Sequence, residues 1–187
     1  MVIYISTRRL LVKFLKKILN LKKAIKIETT YDDLFAPVSG INKNELLLDW
    51  HWLVGESAEP LLITALGDVF YRSGNGIFFL DVNWGQSDAL EKGYQEFRED
   101  PWGNDEEFGT RYAPDFVAKL RESGIILNSG QCYSFKKPPC FGGNMVIGNI
   151  STCDVTVHIS LMGQLYYKLK DVPPGTKISG ISLELAD

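Results

Sequence analysis

The chain has 187 residues, of which 45% are hydrophobic, and this length and composition suit one globular domain with its own core. No apolar run reaches the roughly 18 residues of a membrane-spanning helix, which excludes an integral membrane protein of that kind. The three cysteines are odd in number and give no disulfide framework, so we expect free thiols and a cytoplasmic location.

The net charge of −3 combines a basic N-terminal segment with an acidic remainder. Residues 1–26 hold eight lysines and arginines and no acid, so the rest of the chain has 12 basic against 23 acidic residues. Residues 8–26 have helical periodicity, with Leu11, Ile18 and Leu21 on one face and the lysines mostly opposite. Because its charges are scattered through the apolar stretch, the segment is not a secretory signal.

We interpret residues 1–27 as a basic amphipathic helix or extension, and residues 28–187 as the globular domain. Such a helix can make weak contact with an anionic membrane surface through residues 8–26, or dock on a partner. The alternatives are a helix packed on its own domain and a start codon placed too early. The pattern favours these alternatives, because basic amphipathic segments are common and not specific.

The next residues predict two helices and then a group of strands. The stretch TTYDDLFAP has a cap at Thr29 or Thr30 and Pro37 beyond its end, and NKNELLLDWHWLVG continues as a helix to Gly55. Short apolar runs around Asn75-Gly76 then indicate a hairpin. The predicted strands lie near residues 61–66, 68–72 and 77–82.

The elements that follow are predicted to be mainly helical. SDALEKGYQEFRED predicts a helix that Ser87 caps and Pro101 closes, with Leu90 and Phe97 on one face. NDEEFGTRY predicts an acidic loop, and APDFVAKLRESG predicts a helix that ends at Gly124. We expect these helices to cover the strands that precede them.

The C-terminal third contains one ambiguous segment. In GQCYSFKKPPCFGGN, the QCYSF part predicts a strand, and the proline and glycine pairs predict a rigid, shaped loop. In CDVTVHISLMGQLYYKLKDVPPG, the alternation of Val155, Val157 and Ile159 is typical of a strand, but a cap at Asp154 and the stop at the Pro-Pro-Gly end favour a helix. An α+β fold, with a small central antiparallel sheet and flanking helices in one domain, accommodates these elements.

The sequence holds no motif of a metal, nucleotide or cofactor site. Cys132, Cys140 and Cys153 are spaced unlike the ligand pairs of zinc sites, so we expect neither a metal nor a cofactor. The remaining enzymatic hypothesis is a nucleophilic Cys132 with His158 or His51 as its base. Since both histidines stand among apolar or aromatic residues, packing explains them better, and we expect a protein that is not an enzyme.

The acidic–aromatic stretch over residues 94–108 is the most informative polar feature. Its charge is the reverse of that on nucleic-acid binders, so we expect no direct nucleic-acid binding. Acidic charge with aromatic anchors suits a basic protein surface, and a soluble acidic face over core aromatics is the alternative. The candidate binding residues are Tyr94, Glu96, Glu99, Asp100, Trp102, Asp105, Glu106, Glu107 and Phe108.

Three blocks of the sequence resemble a known protein family. In chain order they are PLLITALGDVFYRSGNGIFFLDV, GQCYSFKKPPCFGGN and VHISLMGQLYYKLKDVPPGTKI. They are similar to the blocks TA-G-D-F-R--G-FFLD, GQCY-FK-PP-GG and GQ---KDLPPGT in the C-terminal domain of Tdi-type immunity proteins of bacterial type VI secretion. The resemblance covers about residues 45–180, and none of the blocks is a catalytic motif.

The resemblance implies an intracellular antidote that binds a cognate toxin, often a DNase, and blocks it. The acidic body of the chain agrees with this, because an acidic inhibitor can occupy a basic nuclease cleft by imitating phosphate charge. Better-known members also carry a GAD-like N-terminal domain, for which residues 1–40 are too short and too basic. The resemblance implies no individual site residue, and the segment 8–26 has no counterpart in the family.

Overall fold

The computed structural model describes residues 29–37, 41–43, 45–173, 175–178 and 180–183. The basic helix predicted over residues 8–26, and with it the domain boundary predicted after residue 27, lies outside the described residues. Of the helices in the described part of the chain, none is both long and apolar enough to cross a membrane.

The described chain begins with two short helical segments. Residues Tyr31–Leu34 form a 3-10 helix, and the Asp33 carboxylate accepts a hydrogen bond from the Thr30 N–H at 2.7 Å. Residues Leu48–Trp50 form a second 3-10 helix that runs into α1, His51–Val54, which ends at Gly55. A helix is present at both predicted places, but the first is a short 3-10 helix, and the second is helical only from Leu48 to Val54 of the predicted residues 42–55.

Four strands form an antiparallel sheet in the order in which they follow along the chain. Strands β1, Glu59–Ile63, and β2, Val69–Ser73, are joined through Gly67-Asp68, and a tight turn leads from β2 into β3, Gly76–Asp81. Strand β4, Gln86–Ala89, pairs with β3 and completes the sheet. The three predicted strands are confirmed, with small shifts at their ends.

Strand β4 corrects the prediction of a helix that starts at Ser87. The Ser87 backbone pairs with Leu80 of β3, and the Ser87 hydroxyl hydrogen-bonds the Tyr71 hydroxyl at 2.7 Å instead of capping a helix. The helix itself, α2, spans only Tyr94–Glu99, with Gly93 as its N-cap residue. Two causes explain the difference: Gly93 interrupts the helical run, and the edge of β3 offers backbone partners that a local pattern does not reveal.

Residues 105–112 are helical, although the sequence analysis predicted a loop here. Helix α3, Asp105–Tyr112, begins after Asn104, whose side-chain oxygen accepts hydrogen bonds from the N–H groups of Glu106 and Glu107 at 3.1 and 3.0 Å. The Glu107 carboxylate accepts a hydrogen bond from the Asn104 N–H in return, at 3.1 Å. The loop prediction was wrong because it overlooked this capping box, which the sequence shows as Asn-x-x-Glu.

Helix α4, Pro114–Glu122, follows α3 almost without a break. The connecting residue, Ala113, has a φ of 44° in the left-handed region, and Pro114 suits the first position of the new helix. The Gly124 N–H then donates to the Arg121 carbonyl at 2.9 Å and closes the end. The helix predicted in APDFVAKLRESG is confirmed.

The C-terminal third folds as a β-hairpin followed by a long helix. Strands β5, Gln131–Phe135, and β6, Ile150–Asp154, pair in antiparallel fashion, and the predicted loop connects them. Helix α5, Val155–Leu169, starts directly after β6, and the Asp154 carboxylate accepts hydrogen bonds from the first-turn N–H groups of Thr156 and Val157. The helical alternative for this segment is confirmed, and the strand alternative is wrong.

Helices cover both faces of the four-stranded sheet. One face packs on α5 and on the segment that ends in α1; the shared core includes Val69, Tyr71, Leu80, Trp50 and Ile159. The other face packs on α2, α3 and α4; this second core includes Phe70, Ile77, Phe79, Phe97, Tyr112 and Leu120. Because side chains alternate along a strand, neighbours such as Val69 and Phe70 enter different cores. The predicted α+β architecture is confirmed.

Candidate functional site

The predicted acidic–aromatic surface, residues 94–108, lies on α2, on the start of α3 and on the segment between them. Within this range six side chains are acidic and one, Arg98, is basic. Both helices pack on the same face of the sheet through Phe97 and Tyr112. The structure therefore gathers the candidate residues in one layer.

The aromatic side chains of this surface differ in what they contact. Trp102 and Phe108 are half-buried in a cluster whose ring centroids lie 5.2 and 5.5 Å from that of Tyr112. Tyr31 extends this cluster, with its ring centroid 4.8 Å from that of Trp102. Tyr94 is 37% exposed. The Arg72 guanidinium lies over the Tyr94 ring, 4.9 Å from the ring centroid. Packing thus explains Trp102 and Phe108, while Tyr94 stays partly exposed beside two cations, since the Arg98 guanidinium also lies 5.8 Å from its ring centroid.

The carboxylates of the same surface also differ in what they contact. Glu107 is half-buried and makes contacts within the chain: one oxygen caps α3, and the other lies 3.0 Å from Arg111. The Asn104 N–H, and then Arg111, lower the pKa of Glu107 below its ordinary value. Glu96, Asp105 and Glu106 are exposed. Since acids in the first turn also stabilise a helix, Asp105 and Glu106 have a structural role besides any binding role.

The remaining two acids of the surface make local hydrogen bonds. Glu99 accepts from the Gln95 side-chain amide at 2.7 Å, and Asp100 accepts from the Trp102 N–H at 3.1 Å. Lys92 lies 3.9 Å from the Asp100 carboxylate. These groups can present negative charge to a partner, but none of the contacts arranges two carboxylates for acid–base chemistry.

The structure brings Cys132 and His158 close together around Gly67. A Cβ placed on Gly67 would lie 2.8 Å from His158 Nε2 and 3.2 Å from Cys132 Sγ. Cys132 is 0% exposed and His158 is 4% exposed. Burial raises the pKa of the Cys132 thiol well above its ordinary value and lowers the pKa of His158 to about 4. A nucleophilic pair needs a thiolate and an imidazolium, so this environment opposes the enzymatic hypothesis.

A cavity of about 590 Å³ lies beside His158, between α5, the β5–β6 hairpin and the segment 176–183. Most of its lining is apolar, including Phe135, Met162 and Leu165. The Nε2 atom of His158 is buried and has no hydrogen-bond partner among the described residues. The polar side chains in the lining include Ser134, Lys136, Cys140, Cys153 and Thr176, but the low pKa of His158 leaves its imidazole uncharged near neutral pH.

The three cysteines are free thiols in different surroundings. Cys132 and Cys153 face each other across β5 and β6, while Cys140 is exposed in the loop between these strands. Within the described ranges, no three His, Cys, Asp or Glu side chains are grouped as a metal site requires. His51, the other histidine of the enzymatic hypothesis, is half-buried at the first residue of α1.

The buried carboxyl of Asp68 is a feature that the sequence analysis missed. Its Oδ1 atom accepts hydrogen bonds from the Val82 N–H at 2.9 Å and from the Asn83 side-chain amide at 3.1 Å. Burial, and then the neighbouring carboxyl of Asp81, raise the pKa of Asp68 well above its ordinary value. Both acids belong to the first block of the family resemblance, where Asp68 follows Gly67 and Asp81 follows Leu80. This block was the sequence signal that could have indicated them.

We expect Asp68→Asn to flatten the pH dependence of stability. The folded state holds the Asp68 proton more tightly than the unfolded chain, whose pKa is near 3.8. The contribution of this group is therefore fully favourable below that pKa and is lost as the pH rises through the raised folded pKa. Urea unfolding from about pH 4 to about pH 8 measures this effect. The free energy of unfolding of the variant, relative to that of the wild type, should rise by at most about 1.4 kcal/mol per pH unit. A difference in unfolding free energy between variant and wild type that does not change with pH would contradict a raised pKa of Asp68.

The comparison with protein families identifies a match within the C-terminal two thirds of the chain. The model of the family described as T6SS immunity protein Tdi1, C-terminal, matches residues 91–166. The matched range contains the acidic–aromatic surface, the β5–β6 hairpin and most of α5. The resemblance to Tdi-type immunity proteins is thereby confirmed over residues 91–166, whereas the first of the three blocks lies before the matched range.

One solved structure with partial similarity is the crystal structure of Atu4351 from Agrobacterium tumefaciens, with a TM-score of 0.48 and 13% sequence identity. The similarity covers 80% of this chain and 75% of that chain, and at this level it says nothing further about fold or function. No curated protein matches the sequence.

Proposed function

We propose, from the premise that residues 91–166 belong to the C-terminal family of the type VI secretion immunity protein Tdi1, that this chain binds a cognate toxin and neutralises it. The single observation that carries the proposal is the family match. Occupying a toxin needs a complementary surface and no catalytic group. The neutral, buried Cys132 and His158 agree with a binding role.

The toxin we propose is a nuclease, and the proposed contact includes the acidic–aromatic surface. A nuclease cleft is basic because it holds phosphates, so a negative surface attracts it at a distance. The exposed acids that supply this charge are Glu96, Glu99, Asp100, Asp105 and Glu106, and Tyr94 adds a ring that is 37% exposed. We propose that these side chains mainly speed the encounter, since exposed charges affect association more than dissociation.

Charge reversal by Asp105→Lys with Glu106→Lys is expected to slow association with the toxin by about 10-fold at low ionic strength. The dissociation rate should change much less, and the effect should shrink as added salt screens the charges. Glu107 is left intact because it caps α3 and contacts Arg111. Biolayer interferometry at several salt concentrations measures both rates.

The matched control reverses two exposed acids outside this surface, with Glu56→Lys and Asp171→Lys. This variant has the same net charge as the first, so it separates local steering from overall charge. Equal slowing by both variants would contradict a role for the acidic–aromatic surface. Circular dichroism of each variant checks that α3 remains folded.

The proposal that this chain is an immunity protein is tested with the product of the adjacent reading frame in the source genome. The purified chain and that product should elute together in size-exclusion chromatography, and the chain should inhibit the nuclease activity in proportion to the complex formed. A neighbouring toxin that neither binds the chain nor loses activity in its presence would contradict the proposed function.

A further inference from the structure

The loop between β5 and β6 exposes a group of apolar side chains. Met145 is 46% exposed and Val146 is 55% exposed, and Phe141 and Ile147 are each 38% exposed. We call these four residues the apolar loop tip. Single exposed apolar residues are common on soluble proteins, but four within seven consecutive positions form a patch of the kind found at interaction sites.

Hydrogen bonds to Asn149 hold this loop in one shape. The Asn149 side-chain amide donates to the carbonyls of Lys137 and Asn144 at 3.1 and 3.0 Å, and its oxygen accepts from the Lys137 N–H at 3.0 Å. The Val146 N–H donates to Asn144, and the Val146 carbonyl accepts from the Asn149 N–H, both at 2.9 Å. A single side chain thus joins both ends of the loop to its tip.

Gly143 permits the close approach that this shape requires. A Cβ on Gly143 would lie 1.7 Å from the carbonyl oxygen of Lys137, a backbone atom that cannot move aside alone. The Gly143 N–H donates to the Pro138 carbonyl at 3.1 Å. A loop fixed in this way loses little conformational entropy on binding, which is the condition for a preorganised contact.

The charge near the tip is opposite to that of the acidic–aromatic surface. From Cys132 to Cys153 the sequence contains Lys136 and Lys137 and no acid. Phe141 also lines the cavity with Met162 and Leu165 of α5, so the tip lies on the α5 side of the sheet, whereas α2 and α3 cover the other face. The tip is therefore a separate surface, complementary to an apolar pocket with acidic neighbours.

We propose that the apolar loop tip anchors the cognate toxin by inserting into an apolar pocket with an acidic rim, outside the basic nuclease cleft. This inference rests on the proposed function and adds a second contact to it. Met and aromatic side chains are enriched in the cores of interfaces, and buried apolar anchors set the dissociation rate. The acidic–aromatic surface speeds the encounter, and the tip holds the complex together.

The central variant is Met145→Ser with Val146→Ser, which replaces the two most exposed apolar side chains of the tip and no core residue. The expected result is a rise in the toxin dissociation rate of at least about 30-fold, with little change in the association rate and little dependence on salt. The matched control is Leu48→Ser with Ile126→Ser, whose side chains are 54% and 44% exposed. Thermal unfolding should show that both variants remain folded.

A second variant, Asn149→Ala, keeps every apolar side chain of the tip and removes the hydrogen bonds that position them. We expect about 10-fold weaker toxin binding from this variant. Amide hydrogen exchange at Val146 and Asn149 should become faster in the free protein, and toxin binding should restore protection. Faster exchange without weaker binding would contradict the importance of the fixed loop shape.

The outcomes separate this inference from the proposed function. If the wild-type chain does not bind the toxin, both are overturned. If it binds and the Met145→Ser/Val146→Ser variant dissociates at the control's rate, the loop inference is overturned and the immunity function stands. The inference is also overturned if the wild-type chain self-associates or binds anionic vesicles, and the same variant abolishes that interaction without changing the toxin kinetics. The tip would then be assigned to a second copy of the chain or to a membrane surface.

Discussion

Trp50→Ala is expected to lower the free energy of unfolding by about 3–5 kcal/mol. Trp50 is 0% exposed and lies between α1 and α5, where its indole N–H donates to the Ile159 carbonyl at 2.8 Å. The truncation leaves a cavity between these elements and removes the hydrogen bond as well. Urea unfolding followed by circular dichroism measures the loss.

Trp52→Ala is the matched control because the two tryptophans stack, with ring centroids 6.0 Å apart. Trp52 is only half-buried, so its truncation should cost about 1–2 kcal/mol. Trp50→Phe keeps most of the buried ring and should fall between these two values, because it loses only the hydrogen bond and part of the area. Equal costs for Trp50→Ala and Trp52→Ala would contradict the packing of α5 on this segment.

Gly67→Ala is expected to cost about 2–4 kcal/mol, from two separate causes. The φ of Gly67 is +84°, which strains any residue with a Cβ. The new methyl group would also lie 2.5 Å from His158 Cδ2 and 3.2 Å from Cys132 Sγ, so the buried ring must shift. Urea unfolding again gives the free energy.

Gly55→Ala isolates the first of these causes. Its φ is +83°, almost the same as that of Gly67, but an added Cβ would meet no atom within 4 Å. We expect a cost of about 1 kcal/mol from backbone strain alone. In a double-mutant cycle, His158→Ala should then recover part of the Gly67→Ala cost, because it removes the clashing ring. Strictly additive effects would show that Gly67 and His158 are not in contact.

Much of the fold could be predicted because local signals and tertiary structure agree. The apolar runs of β1–β3 form strands with a buried face, and the Asp154 cap and apolar positions of α5 form a helix in any context that buries them. The two errors arose where one local sequence signal was considered without a competing signal or partner. Ser87 was interpreted as a helix cap, although its backbone pairs with β3. The stretch after Asn104 was interpreted as a loop because of its charge, although Asn104 forms a capping box there.

The candidate sites were less predictable, because contacts between distant residues have no local pattern. The sequence indicated an acidic–aromatic surface, but it could not show that Trp102 and Phe108 pack against Tyr112 while Tyr94 stays exposed. The proximity of Cys132 and His158 depends on Gly67, which is far from both in sequence. The prolines and glycines predicted a shaped loop, but the hydrogen bonds of Asn149 and the exposure of Met145 and Val146 required the structure.

The surfaces divide the proposed function into parts that experiments can separate. We propose that the exposed acids on α2 and α3 act through long-range charge, which salt weakens. The apolar loop tip is proposed to act through short-range packing, which salt hardly affects. We expect the cores around Trp50 and Gly67 to contribute to stability and not to toxin contact, so variants there should lower toxin binding no more than their loss of folded protein requires.

The most direct test of the central claim is growth of cells that express the adjacent toxin gene, alone and together with this chain. If the chain is an immunity protein, the toxin alone should stop growth. Co-expression should restore growth, with the two proteins recovered as one complex. A toxin that kills equally in the presence of folded chain, or a neighbouring product that does not harm the cell, would contradict the claim.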